Sequence, residues 1–242
     1  MTTDLAGLVE RYRLSEAASI QFAALARLLT DDPRAPTAIR DPTRVVEDHL
    51  ADSLVALECP ELHAGRQLVD IGAGAGLPGL ALAIARPELR VVLLESSRRK
   101  CAFIERAIAH CGLSNATVVT ARAESWPAGR AAFDVATARA VGRLDVVAEY
   151  AAPLMRVGAV LVAWRGARDP EAEAQGQKAA EALGLRVLPP RPVRPFPAAR
   201  HRYLHLMSKV TDTPARFPRR PGVALKRPLG GPALARSGGG RV

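Results

Sequence analysis

The 242-residue chain has few cysteines, few lysines and no long apolar run. Its three cysteines, Cys59, Cys101 and Cys111, are an odd number without C-x-x-C spacing, which fits neither a disulfide scaffold nor a zinc site; no metal is expected, and the cytoplasm is the natural compartment. No apolar stretch approaches the roughly 18 to 20 residues that cross a bilayer, and the N-terminus lacks a basic region followed by an apolar one. Neither a membrane span nor a secretory signal is therefore expected. Only four of the 34 basic residues are lysine (Lys100, Lys178, Lys209, Lys226), a bias that GC-rich coding could produce without any function. No internal repeat of fixed period is visible. With 48% hydrophobic and 24% charged residues, wholesale disorder is excluded, and the length fits one globular domain plus extensions.

The net charge of +10 suggests nucleic acid, but its distribution matters more than its sum. Residues 211–242 hold seven basic residues and one acidic, so this stretch contributes +6 and the remaining body +4. The same stretch has six glycines and five prolines with few large apolar side chains, which predicts a mobile basic tail. Three regions result: a helical extension over 1–64, an α/β domain over 65–210, and the tail over 211–242.

In the extension, Leu5, Leu8, Val9 and Tyr12, then Phe22, Leu25, Leu28 and Leu29, follow helical spacing. After the breaks at Asp31-Asp32-Pro33 and Asp41-Pro42, Thr43 reads as the N-cap of a helix bearing Val46, Leu50, Leu54 and Leu57. His49 and Asp52 share a face of that helix and are read as a structural pair. From Gln67 onward, aliphatic runs alternate with helical stretches, the pattern of a parallel sheet with crossover helices. Strands are expected at 68–71, 91–95, 117–120, 133–138 and 159–164, with Gly112 stopping the helix that carries Phe103, Ile104, Ala107 and Ile108. Runs at 185–188 and 202–208, separated by a Pro-rich turn, suggest a closing antiparallel hairpin and a total of seven strands.

The sharpest feature is Leu68-Val69-Asp70-Ile71-Gly72-Ala73-Gly74-Ala75-Gly76-Leu77-Pro78-Gly79, a strand running into a glycine loop and a helix. Such glycines let a ligand approach the backbone. Gly74-x-Gly76-x-x-Gly79 satisfies the dinucleotide fingerprint, whereas Asp70-x-Gly72-x-Gly74-x-Gly76 satisfies the acidic-start pattern of S-adenosylmethionine methyltransferases. The loop begins at Gly72, directly after the strand, and a carboxylate at Asp70 suits a partly cationic ligand better than a pyrophosphate. Both points favour the second frame over a nicotinamide oxidoreductase. Glu95 ends the next strand, where it can accept from ribose hydroxyls in either cofactor class.

Methyl transfer from a sulfonium needs alignment and exclusion of water rather than a covalent catalyst. The (Asp/Asn)-Pro-Pro-aromatic turn of many exocyclic-amine methyltransferases is absent after the fourth strand, which leads into Thr137-Ala138-Arg139-Ala140. The cysteines fall on helices or beside Pro60, away from strand ends, which disfavours a C5-pyrimidine mechanism. A purine N7 already offers a lone pair and demands neither feature.

Taken together, the chain resembles the bacterial ribosomal RNA small-subunit methyltransferase G family, also called the glucose-inhibited division protein B family. The resemblance runs from Ile39 to about Lys209 through Arg40-Asp41-Pro42, His49-x-x-Asp52-Ser53-Leu54, the Asp70 to Gly79 loop, Glu95-Ser96, Arg139-Ala140 and His201-Arg202-Tyr203. It resumes in Pro218-Arg219-Arg220-x-Gly222 and Lys226-Arg227-Pro228-Leu229. It implies a Rossmann-like class I methyltransferase fold, with a mostly parallel sheet, a C-terminal antiparallel hairpin and an N-terminal helical extension. The implied activity is direct in-line methylation of N7 of a guanosine in the 530 loop of 16S ribosomal RNA. S-adenosylmethionine would be the donor and S-adenosylhomocysteine the product; 16S RNA or the small subunit would be the partner, and a monomer is the default.

By that resemblance Gly72 and Leu77 contact the cofactor, Ala123 and Glu124 flank the adenine, and Arg139 lies at the cofactor and acceptor side. With Asp70, Gly74, Gly76 and Glu95 these complete the expected cofactor site. The position of Ala123-Glu124 after the third strand fits a ligand at the carboxyl ends of the strands, although Glu124 also reads as a solvated loop charge. Arg139, at the end of the fourth strand, is a positioning candidate able to bind a methionine carboxylate or an RNA phosphate, or else a structural ion pair; no catalytic residue is assigned. Arg139, Arg165, Arg200, Arg202, Arg219 and Arg220 are the candidate RNA contacts. Trp164-Arg165-Gly166 departs from the family's frequent Lys-Gly. A noncatalytic RNA-binding factor that retained the fold is the competing reading.

Overall fold

The computed structural model describes residues 3–231. Helices α1 (Leu5–Tyr12) and α2 (Glu16–Asp31) open the chain, capped by the Asp4 and Ser15 side chains. Asp41, not Thr43, caps the next helix: its carboxylate accepts the Arg44 amide, with Pro42 at the first helical position. That helix begins as α3 (Pro42–Arg44), widens into a π-helix over Val45–Ala51, and finishes as α4 (Asp52–Leu54). His49 and Asp52 do not pair with each other. His49 Nε2 meets Thr37 Oγ1 at 2.8 Å, while Asp52 accepts from Arg139.

The α/β region runs β1 (Gln67–Ile71), α5 (Gly79–Ala85), β2 (Arg90–Glu95), α6 (Arg98–His110), β3 (Ala116–Thr120), β4 (Phe133–Arg139), α7 (Leu144–Ala151), β5 (Met155–Arg165) and α8 (Pro170–Leu183). It closes with β6 (Leu185–Val187), β7 (Arg191–Val193) and β8 (Arg202–Lys209), and a short helix α9 (Val223–Lys226) follows. The strand order is β3-β2-β1-β4-β5-β8-β6, with β7 also on β8. The five strands from β3 to β5 are parallel, and β8 runs antiparallel to β5, β6 and β7.

The sheet has eight strands rather than seven. The extra one lies within the stretch read as a Pro-rich turn: Pro192 is tolerated because β7 is a three-residue edge strand. The chain moves outward from β1 to β3, then returns past β1 to β4. The β1–β4 boundary is therefore the topological switch point, where ligands of open α/β sheets bind.

Each face of the sheet carries its own apolar cluster. On one face Leu80, Phe103 and Ile104 pack with Phe22, Leu25 and Leu29, so the helical extension shares its core with α5 and α6. On the other, Val69 and Ile71 pack with Val146, Val147, Ala180 and Leu183 of α7 and α8. The expected mobile tail is corrected for residues 211–231, which fold back onto that second face: Phe217 and Ala224 are buried in its cluster. Leu229 packs against the same cluster, and Arg219 adds a forked ion pair to Glu149, a carboxylate of α7 that is itself buried. The remainder, 232–242, lies outside the described residues. Among the described residues, no helix is long and apolar enough to cross a membrane.

Candidate active site

The glycine loop connects β1 to α5 at the switch point. Gly74 and Gly76 both have positive φ, +62° and +85°, but for different surroundings. A β-carbon at Gly76 would lie 2.3 Å from Leu80 Cδ1, so that glycine is required by packing. At Gly74 a β-carbon would meet only the Gly72 carbonyl, 3.7 Å away, and would otherwise project into open space.

That open space is a cleft of about 570 Å³, bordered by the loop from Gly72 to Ala75, by Leu77, and by Arg139, Arg165, Arg202 and the π-helix residues Asp48 and His49. A second, smaller lobe of about 180 Å³ lies on the other side of Gly72, lined by Ile71, Leu94, Ala123, Val141, Tyr150 and Leu225. The small lobe is mostly apolar and below the roughly 300 Å³ of a complete small-molecule site, so it suits one planar ring system. The larger carries charged side chains, among them Asp48, Asp52, Lys100 and Arg139. A ligand with a nucleobase at one end and a charged amino-acid group at the other matches this division, with Gly72 bordering both lobes. The residues present thus fit S-adenosylmethionine.

Gly72, Gly74 and Leu77 border the larger cleft and Ala123 and Glu124 the smaller lobe. Gly76 turns the loop from behind. Asp70 departs from the expected direct contact. Its carboxylate is buried, with Oδ2 accepting the Gly79 amide at 2.9 Å and Oδ1 the Thr137 hydroxyl at 2.8 Å. It braces the loop from beneath because it alternates with Val69 and Ile71 and so faces α5. Burial pushes its pKa up to about 6, against the lowering effect of those two hydrogen bonds. Glu95 is also buried, and accepts the Gly74 amide at 3.1 Å and the Ser97 amide at 2.8 Å, tying the loop to the end of β2.

Arg139, Arg165 and Arg202 converge on the larger cleft. Arg139 Nη1 donates to Asp52 Oδ2 at 2.9 Å, and Arg202 Nε stands 3.7 Å from the other oxygen of Asp52. Arg202 Nε is shielded from solvent and makes no hydrogen bond; its nearest carboxylate is that of Asp52. Arg165 donates to the Gly142 carbonyl at 2.8 Å. Burial and the neighbouring Arg139 charge push His49 down to about 4, so it borders the cleft as a neutral ring.

The other arginines named from sequence do not gather here. Arg200 bonds the Pro197 and Ala199 carbonyls, Arg219 is committed to Glu149, and Arg220 is exposed on the C-terminal segment; none lines the cleft. Sequence reasoning missed Thr37, Asp48, Lys100 and Tyr203 as cleft residues. Asp48 had a signal in its place directly before the His49-x-x-Asp52 motif; Thr37 had none, because a loop contact across twelve residues has no periodicity.

A parallel sheet with a glycine loop at its switch point, a base-sized lobe and an adjoining charged cleft defines a Rossmann-like S-adenosylmethionine-dependent methyltransferase. Solved structures share the fold. A mitomycin 7-O-methyltransferase superposes with TM-score 0.56 at 17% identity, covering 85% of this chain and 72% of that one. An S-adenosylmethionine-dependent methyltransferase from Aquifex aeolicus gives 0.52 at 20%, covering 70% and 94%. Residues 28–189 match the family described as rRNA small subunit methyltransferase G. Relatives named ribosomal RNA small subunit methyltransferase G are 43% identical over 199 residues in Rubrobacter xylanophilus, covering 79% of this chain and 76% of the relative, and 39% identical over 214 residues in Deinococcus radiodurans, covering 86% and 85%. The chain belongs to the ribosomal RNA small subunit methyltransferase G family.

Proposed function

We propose that this methyltransferase modifies N7 of a guanosine in the 530 loop of 16S ribosomal RNA, as a cytoplasmic monomer acting on the RNA or on the small subunit. The observation that carries this reading is the cleft beside the loop, where Arg139 and Arg202 meet the Asp48 and Asp52 carboxylates and Arg165 lines the same space. Three guanidinium groups suit the phosphates of an RNA strand, and two carboxylates suit an acceptor that becomes cationic on methylation.

S-adenosylmethionine supplies an electrophilic methyl group on a sulfonium. The backbone at Gly72 and Gly74, with Leu77, holds the amino-acid side of the cofactor, and Ala123 with its apolar neighbours receives the adenine. Glu95, buried beside Gly74 and bordering neither lobe itself, would take ribose hydroxyls only on the lone pairs that the Gly74 and Ser97 amides leave free. Asp70 keeps the loop in position without touching the ligand. Arg139 serves the methionine carboxylate or the acceptor's phosphate. No general base is needed, since guanine N7 attacks with a free lone pair, and none of the three cysteines borders the cleft to act as a covalent nucleophile.

The test is transfer of labelled methyl from S-adenosylmethionine to small ribosomal subunits, and to naked 16S RNA, lacking the modification, followed by mass mapping. Label at N7 of one guanosine in the 530 loop supports the reading. Label elsewhere, or none despite cofactor binding, overturns it, the latter in favour of another acceptor or a noncatalytic factor.

A further inference from the structure

We propose that the C-terminal segment after β8 forms the outer wall of the base lobe, with Leu225 as its contact to the adenine ring and Glu124 as its latch. The proposal rests on the assignment of the cleft to S-adenosylmethionine.

The segment is fixed to the body at successive points. Lys209 Nζ, at the end of β8, donates to the Leu183 carbonyl at 2.9 Å and to Thr213 Oγ1, which sets the direction in which the chain leaves the sheet. Phe217 then enters the apolar cluster beneath α7. The Arg219 guanidinium forks onto Glu149 and also donates to the Arg227 carbonyl at 2.8 Å, closing residues 219–227 into one turn. Gly222, with φ +79°, presents its amide to Glu124 Oε1 at 3.0 Å. Ala224, buried, seats α9 against the body.

These anchors bury Ala224 and leave its neighbour Leu225 exposed, where it lines the base lobe with Ile71, Leu94, Ala123, Val141 and Tyr150. Leu225 is 40% exposed, one of only four large apolar side chains so exposed among the described residues. A planar ring entering the lobe would cover that face and remove it from water. Glu124 thereby gains a specific part. Its carboxylate, expected from sequence beside the adenine, borders the lobe and also accepts the Gly222 amide, so it acts on the base in part through the segment it holds.

The experiment is calorimetry on the full chain with two probes: S-adenosylhomocysteine, and 5′-methylthioadenosine, which keeps the adenine nucleoside and lacks the amino-acid arm. Leu225→Asp should raise the Kd of both probes about tenfold and Leu225→Ala severalfold. The melting temperature should hold, because the side chain is half exposed. KM for S-adenosylmethionine should rise by the same factor, with kcat at saturation and KM for RNA unchanged. Ile20→Asp, at an exposed apolar position on α2 far from the lobe, should change none of these.

Wild-type affinity for both probes in Leu225→Asp overturns the wall. So does tighter binding in Leu225→Ala, which would make the segment a plug, or a change confined to KM for RNA. Gly74→Val separates this from the cleft assignment. If it binds S-adenosylhomocysteine normally, the cleft reading itself fails; if it loses binding while Leu225→Asp keeps it, only the wall is lost.

Discussion

The Gly79 amide donates to Asp70 Oδ2 at 2.9 Å, so the two residues that bracket the glycine loop are bonded to each other beneath it. The contact leaves no room for a side chain: a β-carbon at Gly79 would stand 2.9 Å from the same oxygen. Burial raises the Asp70 pKa from 3.8 to about 6. The folded state therefore holds this proton more tightly than the unfolded chain. The associated stability is fully present below pH 3.8 and is lost as pH rises through about 6. Asp70→Asn cannot ionise, so its stability relative to the parent should climb by on the order of 2 kcal/mol between pH 4 and pH 7. Urea melts across that range would show it; parallel curves would mean that the carboxyl titrates normally.

Gly74 and Gly76 should respond differently to alanine although both have positive φ. Gly76→Ala adds a clash with Leu80 to the backbone cost, and should destabilise the fold by about 2 to 4 kcal/mol. Gly74→Ala carries only the backbone cost of about 1 kcal/mol, and its main effect should be weaker S-adenosylhomocysteine binding. Denaturation and calorimetry on the same two variants separate the effects.

Asp52 stands between Arg139 and Arg202 and neutralises part of the cleft. Replacing it with Asn should free guanidinium groups for phosphate. The slope of log affinity for RNA against log salt should steepen by about 0.7 to 0.9 for each arginine released, while kcat drops about tenfold as Arg139 loses its orientation. Filter binding across a salt series, beside steady-state kinetics, would reveal this opposition. A parallel loss of affinity and turnover would mean that Asp52 only supports the fold.

Arg219 was expected from sequence to touch RNA, yet its guanidinium is committed to Glu149, whose side chain is 1% exposed. Arg219→Gln leaves that carboxylate buried and unpaired and should cost about 3 to 5 kcal/mol, with much of the loss recovered in the double variant with Glu149→Gln. The salt dependence of RNA binding should not change. Arg220→Gln, at an exposed position, should do the reverse and flatten the slope without altering stability.

What could be read from the sequence follows the range of the interactions involved. The parallel strands and the loop were legible because they depend on local alternation and on glycine, and the left-handed stop at Gly112 was found where expected, with φ +62°. The cap at Asp41 was misplaced by two residues because Thr43 is an equally good capping type. The ordered path of residues 211–231 is hidden, since a segment rich in glycine and proline with few apolar residues carries no periodic sign of burial. Its anchors, Arg219 to Glu149 and Gly222 to Glu124, span 70 and 98 residues, and no local pattern announces them. Asp70 shows a further limit: the motif located the carboxylate, but which way it faces depends on the strand's pleat and on Thr137 of β4.

The π-helix over Val45–Ala51 fits one more residue into its turns than an α-helix would, and the surplus sets the phase of everything after it. Upstream, Val45 is fixed in the core; downstream, the Asp52 carbonyl is fixed by the Trp164 indole at 2.6 Å. Were the segment to tighten to α geometry with all its residues in place, Asp52 would turn roughly 100° around the axis, away from Arg139, whereas losing one residue as it tightened would restore the phase. The wide turn thus works as a spacer. The frame in which the acidic residues of this helix meet the arginines of the sheet is set by residue count as much as by residue type.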